Sequence, residues 1–388
     1  MKPLAQRSSL IQRSGIRTLM ELARQTPGCI HLEVGDPDFR TPAHVIEAAH
    51  EAARAGFTGY SPTAGLGSLR QALALKLRER NGLEVSPEQI LVGPGAVFGI
   101  AMGLMATLDP GDEVLLPDPG WPNYEGAAHA CGATPVPYPL RRETGYQPDL
   151  EVLRRLVSPR TKVLLINTPS NPTGGVFSPE TVRALVEFAA EHDLYLLSDE
   201  VYEEIVFEGE HVSAGRFDRD GRVIGCFGFS KTYAMTGWRL GYTVASREVT
   251  DTMVRLAEPF VSCASTVVQK AAEAALSGSQ DAVRDMCAAY KARRDAVVDI
   301  LQPAGLLATV PRGAFYALVD VSALGRDSDA LARRLLVEQK VATAPGTTFG
   351  AEGAGLLRIS LAAEQSRLEE GCRRIVQWVR RQHGRQVA

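Results

Sequence analysis

The sequence has few cysteines and histidines, and none of them has the spacing of a metal site. Its six cysteines and seven histidines are scattered over 388 residues, with no C-x-x-C pair and no cysteine–histidine pair at ligand spacing. We therefore expect no bound metal, and we assign no histidine a catalytic role. Most of the cysteines are expected to be small buried residues in a reducing cytosol.

Long apolar runs and a strong net charge are also missing. The longest apolar candidates, 92–108 and 163–166, are interrupted or far shorter than the ~20 residues of a membrane-spanning helix. The amino-terminal sequence MKPLAQRSSLIQRSG lacks the apolar core of a signal peptide, which predicts a cytoplasmic location. A net charge of −3 argues against nucleic acid and anionic membranes as partners.

Short apolar runs alternate with helical segments between residues 90 and 245. The runs predicted as strands are QILVG, DEVLLPD, ATPVPYPL, KVLLINTP, LYLLSDE, RVIGCFGFS and GWRLGYTVA. Helical spacing marks AVFGIAMGLMATL, NYEGAAHA, DLEVLRRLV and SPETVRALVEFAAEHD between them. Such alternation predicts an α/β fold, with a mainly parallel seven-stranded sheet flanked by helices.

The pattern changes after Ala245. Helices are predicted over 247–258, 266–276 and 282–301, and then come ATVP and FYALVDV, a helix DSDALARRLLVEQK, a strand LLRISLA and a helix RLEEGCRRIVQWVRRQ. A chain of 388 residues is too long for one small core. We therefore expect a second, smaller α+β domain, with the boundary inside the long helix near residue 290.

Polar residues collect where the predicted strands end. LYLLSDE ends at Asp199 and is followed by Tyr202, and KVLLINTP leads into Asn171. Two other strands lead into PGAVFG, at the start of a helix, and into PGWPNY, which contains Trp121. Ligands of open α/β sheets bind at the carboxyl ends of the strands, so these residues are expected to share one site.

The segment KTYAMTGWR places Lys231 and Arg239 eight residues apart, between apparent strands over 222–230 and 238–245. A lysine that forms a Schiff base needs a fixed, partly dry position, because burial disfavours its charged form. An arginine that stays protonated is suited to holding a phosphate. The pair proves little alone, but it stands together with the polar residues at the other strand ends.

Each of these features also has a purely structural interpretation. Asp199 is placed to cap a helix, 171–174 is a plausible turn, 95–97 a tight helix entry and Trp121 a core residue. A single lysine or arginine is most often a solvated surface charge. The chemical interpretation is favoured because all the features occur together.

Together the residues meet the needs of a pyridine cofactor with an aldehyde and a phosphate. It requires an amine for the Schiff base, a carboxylate at the ring nitrogen, donors for the ring oxygen, a helix N-terminus with an arginine for the phosphate, and a flat side chain against the ring. In that order, the residues are Lys231, Asp199, Asn171 with Tyr202, the turn Gly95, Ala96 and Val97 with Arg239, and Trp121. The sequence therefore predicts pyridoxal 5'-phosphate as the cofactor.

The chain resembles the class I/II aminotransferases, which are pyridoxal-phosphate enzymes of fold type I. The matching motifs are VGDPDF, NTPSNPTGG, SDEVYEEI, SKTYAMTGWRLGY, GAFYAL, APGTTFG and LRIS, in the family's order over nearly the whole chain. The resemblance implies a large cofactor-binding domain over 45–290. It also implies a small domain made of 1–44 and 291–388, and a homodimer.

The resemblance assigns roles to the residues that match the motifs. It implies that Lys231 bonds to the cofactor and moves the substrate proton, with Asp199 at the ring nitrogen, and that Ser230 helps to bind the phosphate. Tyr60 is expected to reach the phosphate of the neighbouring subunit. Arg358 is expected to grip the substrate α-carboxylate with both prongs of its guanidinium, assisted by Asn171 and the Gly35 backbone.

Two departures from the family pattern concern the phosphate turn and its surroundings. Many relatives have serine three residues before the lysine, where this chain has Gly228, so Ser230 is expected to share that task. Some aspartate-specific relatives carry a lysine in the phosphate turn, where this chain has Val97. The second departure weakens an aspartate assignment.

The predicted reaction is reversible transamination between an L-amino acid and a 2-oxo acid. The alternatives are a lyase or decarboxylase on the same scaffold, and a transcription factor with an aminotransferase-like domain. Aspartate is the alternative to a neutral or apolar amino donor. The side-chain pocket is expected to be lined by Ile16, Arg17, Val97, Trp121 and, from the partner subunit, segment 262–266.

Overall fold

The computed structural model describes residues 4–11 and 15–386, and within these ranges no helix is long and apolar enough to cross a membrane. The strands are β1 Ile30–His31, β2 Ile90–Gly93, β3 Glu113–Asp118, β4 Thr134–Pro139, β5 Thr161–Asn167, β6 Tyr195–Asp199, β7 Val223–Gly228, β8 Gly241–Val244, β9 Tyr316–Asp320, β10 Val341–Ala342, β11 Ala344–Pro345 and β12 Leu356–Ser360. The α-helices are α1 Gln6–Leu10, α2 Gly15–Arg24, α3 Ala43–Arg54, α4 Gly67–Lys76, α5 Ala96–Thr107, α6 Asn123–Ala130, α7 Leu150–Leu156, α8 Pro179–Glu191, α9 Phe229–Thr232, α10 Arg247–Val261, α11 Thr266–Ser277, α12 Asp281–Leu301, α13 Ser328–Gln339 and α14 Gln365–Gln386.

A seven-stranded sheet in the order β2-β8-β7-β6-β5-β3-β4 forms the centre of the molecule. All of its pairings are parallel except those of β8, which runs antiparallel to both neighbours. Each of the seven apolar runs forms one strand. Most of their residues are buried because helices cover the sheet, but the edge strand β4 is largely accessible, with Thr134 and Pro137 exposed. The α/β fold with a mainly parallel seven-stranded sheet is therefore confirmed.

The segment between β7 and β8 differs from the prediction. The sequence predicted strands reaching Ser230 and restarting at Trp238, but β7 ends at Gly228 and β8 begins at Gly241. Residues 229–232 turn into α9, and Arg239 adopts a left-handed conformation with φ of 54°. A strand cannot continue through a helical turn or through a left-handed residue. Lys231 and Arg239 therefore lie in the connection that reverses the chain between β7 and β8.

The amino-terminal segment and the carboxyl-terminal third form the smaller part of the fold. β1 pairs in parallel with β10, and β11, β12 and β9 form an antiparallel sheet. One apolar cluster joins Leu19 and Leu32 to Phe315 and Trp378. The segment ATVP forms no strand, and Leu307 beside it forms an isolated bridge to Val319. The domain boundaries stay a prediction, and part of 1–44 lies outside the described residues.

Candidate active site

The carboxyl ends of β5, β6 and β7 bring three predicted residues to one edge of the sheet. Asn167 at the end of β5 is in register with Asp199, which is in register with Cys226 of β7. Parallel strands end on the same side, so the loops that follow β5 and β7, with Asn171 and Lys231, lie beside Asp199. The structure therefore places the predicted residues at a single site.

Lys231 lies in α9, partly buried, with its amine held against the amino-terminal segment. Its Nζ donates a hydrogen bond to the Gly35 carbonyl at 2.7 Å and lies 5.5 Å from the centre of the Phe315 ring. Burial lowers the pKa of Lys231 to about 8, with smaller effects from Asp36, Arg358, Arg239 and Asp199. A substantial fraction of this amine is neutral near physiological pH, as a nucleophile or base requires.

Asp199 is a buried carboxylate, 3% exposed, at the end of β6. It accepts hydrogen bonds from the Tyr124 hydroxyl at 2.5 Å and from the Val201 N–H at 3.3 Å. Burial raises the pKa of Asp199 to about 6, and the Tyr124 hydrogen bond opposes this rise. Among the described residues Asp199 forms no ion pair, so it is suited to a protonated ring nitrogen brought by a ligand.

A cradle for an anion forms where α5 begins. Gly95 has φ of +87°, and a side-chain carbon there would lie 2.6 Å from the guanidinium Nη2 of Arg239. The N–H groups of Ala96 and Val97, the first two residues of α5, have no acceptor within the helix. A helix N-terminus and an arginine at one point favour a phosphate.

Arg358 is a buried cation on β12, 2% exposed. It donates to the Asn171 Oδ1 at 3.0 Å and to the Glu33 carbonyl, and its carbon lies 4.3 Å from the ring centre of Tyr316. Its Nε has no hydrogen-bond partner, and no carboxylate of the described residues forms an ion pair with it. A buried guanidinium in this state is suited to an external carboxylate.

Tyr202 and Trp121 complete the centre of the site. The Tyr202 hydroxyl is buried and lies 3.0 Å from that of Tyr316, and burial raises its pKa well above the usual value. Trp121 packs edge-to-face on Tyr124 with ring centres 5.4 Å apart. It also lines a cavity of about 620 Å³ that reaches between α6 and the carboxyl-terminal part.

Residues 27–375 match the family described as aminotransferase class I and II. The chain belongs to this family. It is 41% identical over 359 residues to the aspartate/prephenate aminotransferase of Thermus thermophilus, which covers 92% of each chain. It is 40% identical over 377 residues to aromatic-amino-acid aminotransferase 2 of Thermococcus litoralis, covering 96% of this chain and 97% of that protein.

The solved structure of aspartate aminotransferase from Thermus thermophilus with maleate superposes with a TM-score of 0.93. That structure is 39% identical, and the match covers 97% of this chain and 100% of the other. This aminotransferase is therefore a transferase of fold type I that catalyses transamination, and the lyase alternative is not favoured. Because the chain belongs to a family of enzymes, the transcription-factor alternative is not favoured either.

Class I and II aminotransferases depend on pyridoxal phosphate, and the residues of this chain fit that cofactor. The unpaired carboxylate of Asp199 matches the ring nitrogen, and the cradle at Gly95 leaves room for phosphate only because glycine has no side chain. Gly241 lets β8 pack closely against this turn, since a side-chain carbon there would overlap the Ala96 nitrogen. Within the described residues no group of His, Cys, Asp and Glu has the arrangement of a metal site.

The other predicted residues lie around this centre. Ser230 precedes Lys231 in α9, and the Gly35 carbonyl faces the lysine amine. Arg17 is exposed on α2, while Tyr60 is 93% exposed on the surface of the chain. At this exposure Tyr60 makes little contact with the rest of its own chain.

Sequence reasoning missed two tyrosines of this aminotransferase. Tyr124 follows Trp121 by three residues in PGWPNY and bonds to Asp199 across 75 positions. Tyr316 stands in the motif GAFYAL and bonds to Tyr202 across 114 positions. Their positions next to recognised motifs were a signal, but their partners are distant in sequence, so only the fold identifies their contacts.

Proposed function

We propose that this aminotransferase binds pyridoxal phosphate covalently through Lys231 and transfers an amino group from an L-amino acid to a 2-oxo acid. The observation that carries the proposal is the position of a low-pKa lysine beside Asp199, Arg239 and Arg358. When bound, the cofactor supplies an aldehyde that takes up the amino group and a ring that withdraws electrons from Cα.

Lys231 acts as the proton carrier in this proposal, because the incoming amino acid would displace it from the cofactor and so free its amine. Its amine is held at the Gly35 carbonyl, and burial favours its neutral form. A neutral amine takes a proton from the substrate Cα and gives it up again nearby. Partial burial limits competition from water for the same proton.

Asp199, Tyr202 and Asn171 orient the cofactor ring and tune its charge. Ionised Asp199 keeps the ring nitrogen protonated, and the Tyr202 hydroxyl donates to the ring oxygen. Because the Asn171 Oδ1 accepts from Arg358, its Nδ2 is left to donate to the same ring oxygen. Trp121 supplies a flat face against the ring.

The phosphate and the substrate carboxylate are bound by the two arginines. Arg239, the N–H groups at the start of α5 and Ser230 hold the phosphate. Arg358 binds the α-carboxylate with both prongs of its guanidinium, since its Nε lacks a partner among the described residues and its other nitrogens contact only the neutral oxygens of Asn171 and Glu33. The rings of Tyr316 and Phe349 pack against the guanidinium and fix its orientation.

The proposed amino donor is a neutral or apolar amino acid, used at least as well as aspartate. The named relatives include aspartate and aromatic enzymes, so both substrate classes occur among similar chains. In this chain Val97 follows Ala96 in the phosphate turn and brings no cation, and segment 262–266 contains no arginine. Burying a distal carboxylate without a cation is unfavourable, which disfavours aspartate.

A panel of donors tests this substrate proposal. We expect kcat/KM for alanine, methionine, phenylalanine or kynurenine to equal or exceed that for aspartate and glutamate. Loss of the visible cofactor band with the donor, and its return with a 2-oxo acid, identifies transamination. Val97→Lys serves as the matched variant and should raise the ratio of aspartate to phenylalanine by about tenfold, or 1.4 kcal/mol.

A wild-type preference for aspartate above about tenfold would contradict the proposal. In that case exposed Arg17 on α2 would be the first residue to test as the missing cation, by Arg17→Ala. If the visible band disappears with the donor and never returns with any oxo acid, the reaction is not transamination.

We further propose a homodimer with shared sites, in the cytoplasm. Tyr60 and Phe260 are 93% and 65% exposed, although both are large apolar residues. They belong to one surface, since the Ser61 N–H bonds to the Cys263 Sγ and the Thr266 hydroxyl bonds to the Gly59 carbonyl. An exposed aromatic surface of this kind is suited to a second copy of the chain, whose site Tyr60 would complete.

Hybrid dimers test the shared site. Tyr60→Asp places a negative charge at the neighbour's phosphate, and Lys231→Ala removes the amine, so each homodimer should be nearly inactive. In a hybrid of the two, one site combines intact Lys231 with intact Tyr60 from the other chain. We expect up to about half of wild-type activity per dimer, and an inactive, confirmed heterodimer would contradict the arrangement.

A further inference from the structure

Tyr316 lies between two groups of the active site that the proposed function treats separately. Its hydroxyl is 3.0 Å from the Tyr202 hydroxyl, and the two rings meet edge-to-face at 5.8 Å. The face of its ring lies 4.3 Å from the guanidinium carbon of Arg358. One buried side chain, 2% exposed, thus touches both the ring-oxygen donor and the carboxylate-binding arginine.

The surrounding backbone fixes the Tyr316 hydroxyl in place. Tyr316 opens β9 and pairs with Ser360 of β12, two residues from Arg358. A side-chain carbon on Gly35 would overlap the hydroxyl, so the backbone that also accepts from Lys231 closes against it. Because a phenol oxygen lies on the axis of its ring, the oxygen cannot move without displacing the whole packed ring.

The number of protons determines the direction of the hydrogen bond. Each tyrosine hydroxyl has a single proton to donate. If Tyr202 donates its hydrogen bond to the ring oxygen of the cofactor, Tyr316 must be the donor in the hydrogen bond between the two tyrosines. Tyr202 then accepts one hydrogen bond while donating another, and such chains strengthen the outgoing bond.

We propose that Tyr316 is a positioning residue that sets how strongly Tyr202 donates to the ring oxygen of the cofactor while its ring holds Arg358 for the substrate carboxylate. The proposal rests on the proposed function, since it needs pyridoxal phosphate on Lys231. Tyr316, which belongs to the GAFYAL motif, would then act through Tyr202 and Arg358 without touching the substrate itself.

The proposal predicts a change in the titration of the bound cofactor. A weaker bond from Tyr202 leaves more negative charge on the ring oxygen. That charge retains the proton at the nearby Lys231 nitrogen, so deprotonation needs a higher pH. Tyr316→Phe should raise the pH midpoint of the visible absorption change of the loaded enzyme by about 0.5 to 1 unit.

The experiment compares the loaded wild type with Tyr316→Phe, Tyr202→Phe and the double variant, by absorption against pH. Tyr202→Phe alone should raise the midpoint, and adding Tyr316→Phe to it should change nothing further. Tyr290→Phe is the matched control, because Tyr290 is fully buried, packs on the same Phe315 and has a hydroxyl without a hydrogen-bond partner. Its midpoint should equal that of the wild type.

A second measurement examines the arginine. The affinity for a 2-methyl amino acid, which lacks the Cα hydrogen, should change less than about threefold in Tyr316→Phe and fall about tenfold in Tyr316→Leu, which loses the aromatic face.

A normal midpoint in Tyr316→Phe beside a shifted midpoint in Tyr202→Phe overturns this inference alone. An additive shift in the double variant does the same. A wild type that gains no visible band with pyridoxal phosphate overturns the proposed function as well.

Discussion

Lys231→Ala is expected to lower turnover by at least about a thousandfold, because it removes the amine that is proposed to bond to the cofactor and to carry the proton. Lys231 is the lysine whose Nζ faces the Gly35 carbonyl and whose pKa burial lowers to about 8. The variant should still fold, since alanine fits the helical turn of α9. Steady-state kinetics with a saturating donor and acceptor measure the loss.

Chemical labelling gives an independent measurement for the same residue. Borohydride reduction of the loaded wild type, followed by peptide mapping, should leave the cofactor on Lys231. Lys162→Ala is the matched control, because Lys162 is exposed on β5 and should be dispensable. A label on another lysine, or turnover within tenfold of wild type in Lys231→Ala, would refute the assignment.

Asp199→Asn is expected to keep the fold and the bound cofactor and to lose turnover by roughly a hundredfold to ten-thousandfold. A neutral amide cannot hold the ring nitrogen protonated, so the ring withdraws electrons less well. The amide oxygen still accepts from Tyr124, which now bonds to Asp199 at 2.5 Å. Near-normal turnover would contradict the role assigned to the carboxylate.

The same substitution should stabilise the protein without its cofactor. Burial raises the pKa of Asp199 to about 6, so the folded state binds this proton more tightly than the unfolded state does. The stability contributed by this group is therefore lost as the pH rises from about 4 to about 6. At pH 7.5 the buried charge lowers the free energy of unfolding by up to about 3 kcal/mol.

Melting curves of cofactor-free protein measure this gain. Asp199→Asn should melt roughly 2–5 °C above the wild type at pH 7.5, and the difference should shrink below pH 5. Asp285→Asn on the exposed side of α12 removes one negative charge without burial, and it should leave the melting temperature unchanged. A destabilised Asp199→Asn variant at pH 7.5 would contradict the desolvation argument.

The sequence by itself determined the order and kind of most elements. Buried strands appear as continuous apolar runs, and helices repeat every 3.6 residues, so both are local patterns readable without a structure. The seven runs between Gln89 and Ala245 each form one strand of the central sheet. The sequence also predicted roles for Lys231, Asp199 and Arg239, because strand ends and glycine turns place functional groups at one edge of a sheet, and these roles stay predictions.

Only the tertiary structure decided which of these groups touch. Lys231 meets Gly35 across 196 positions, and Arg358 meets Asn171 across 187. Such contacts depend on the order of strands in the sheet and on the antiparallel β8, neither of which leaves a local pattern. Tyr124 and Tyr316 have the same apolar spacing as ordinary core residues. The residues that their hydroxyls contact, Asp199 and Tyr202, are distant in sequence and come close only in the folded chain. The sequence therefore did not reveal the roles of the two tyrosines.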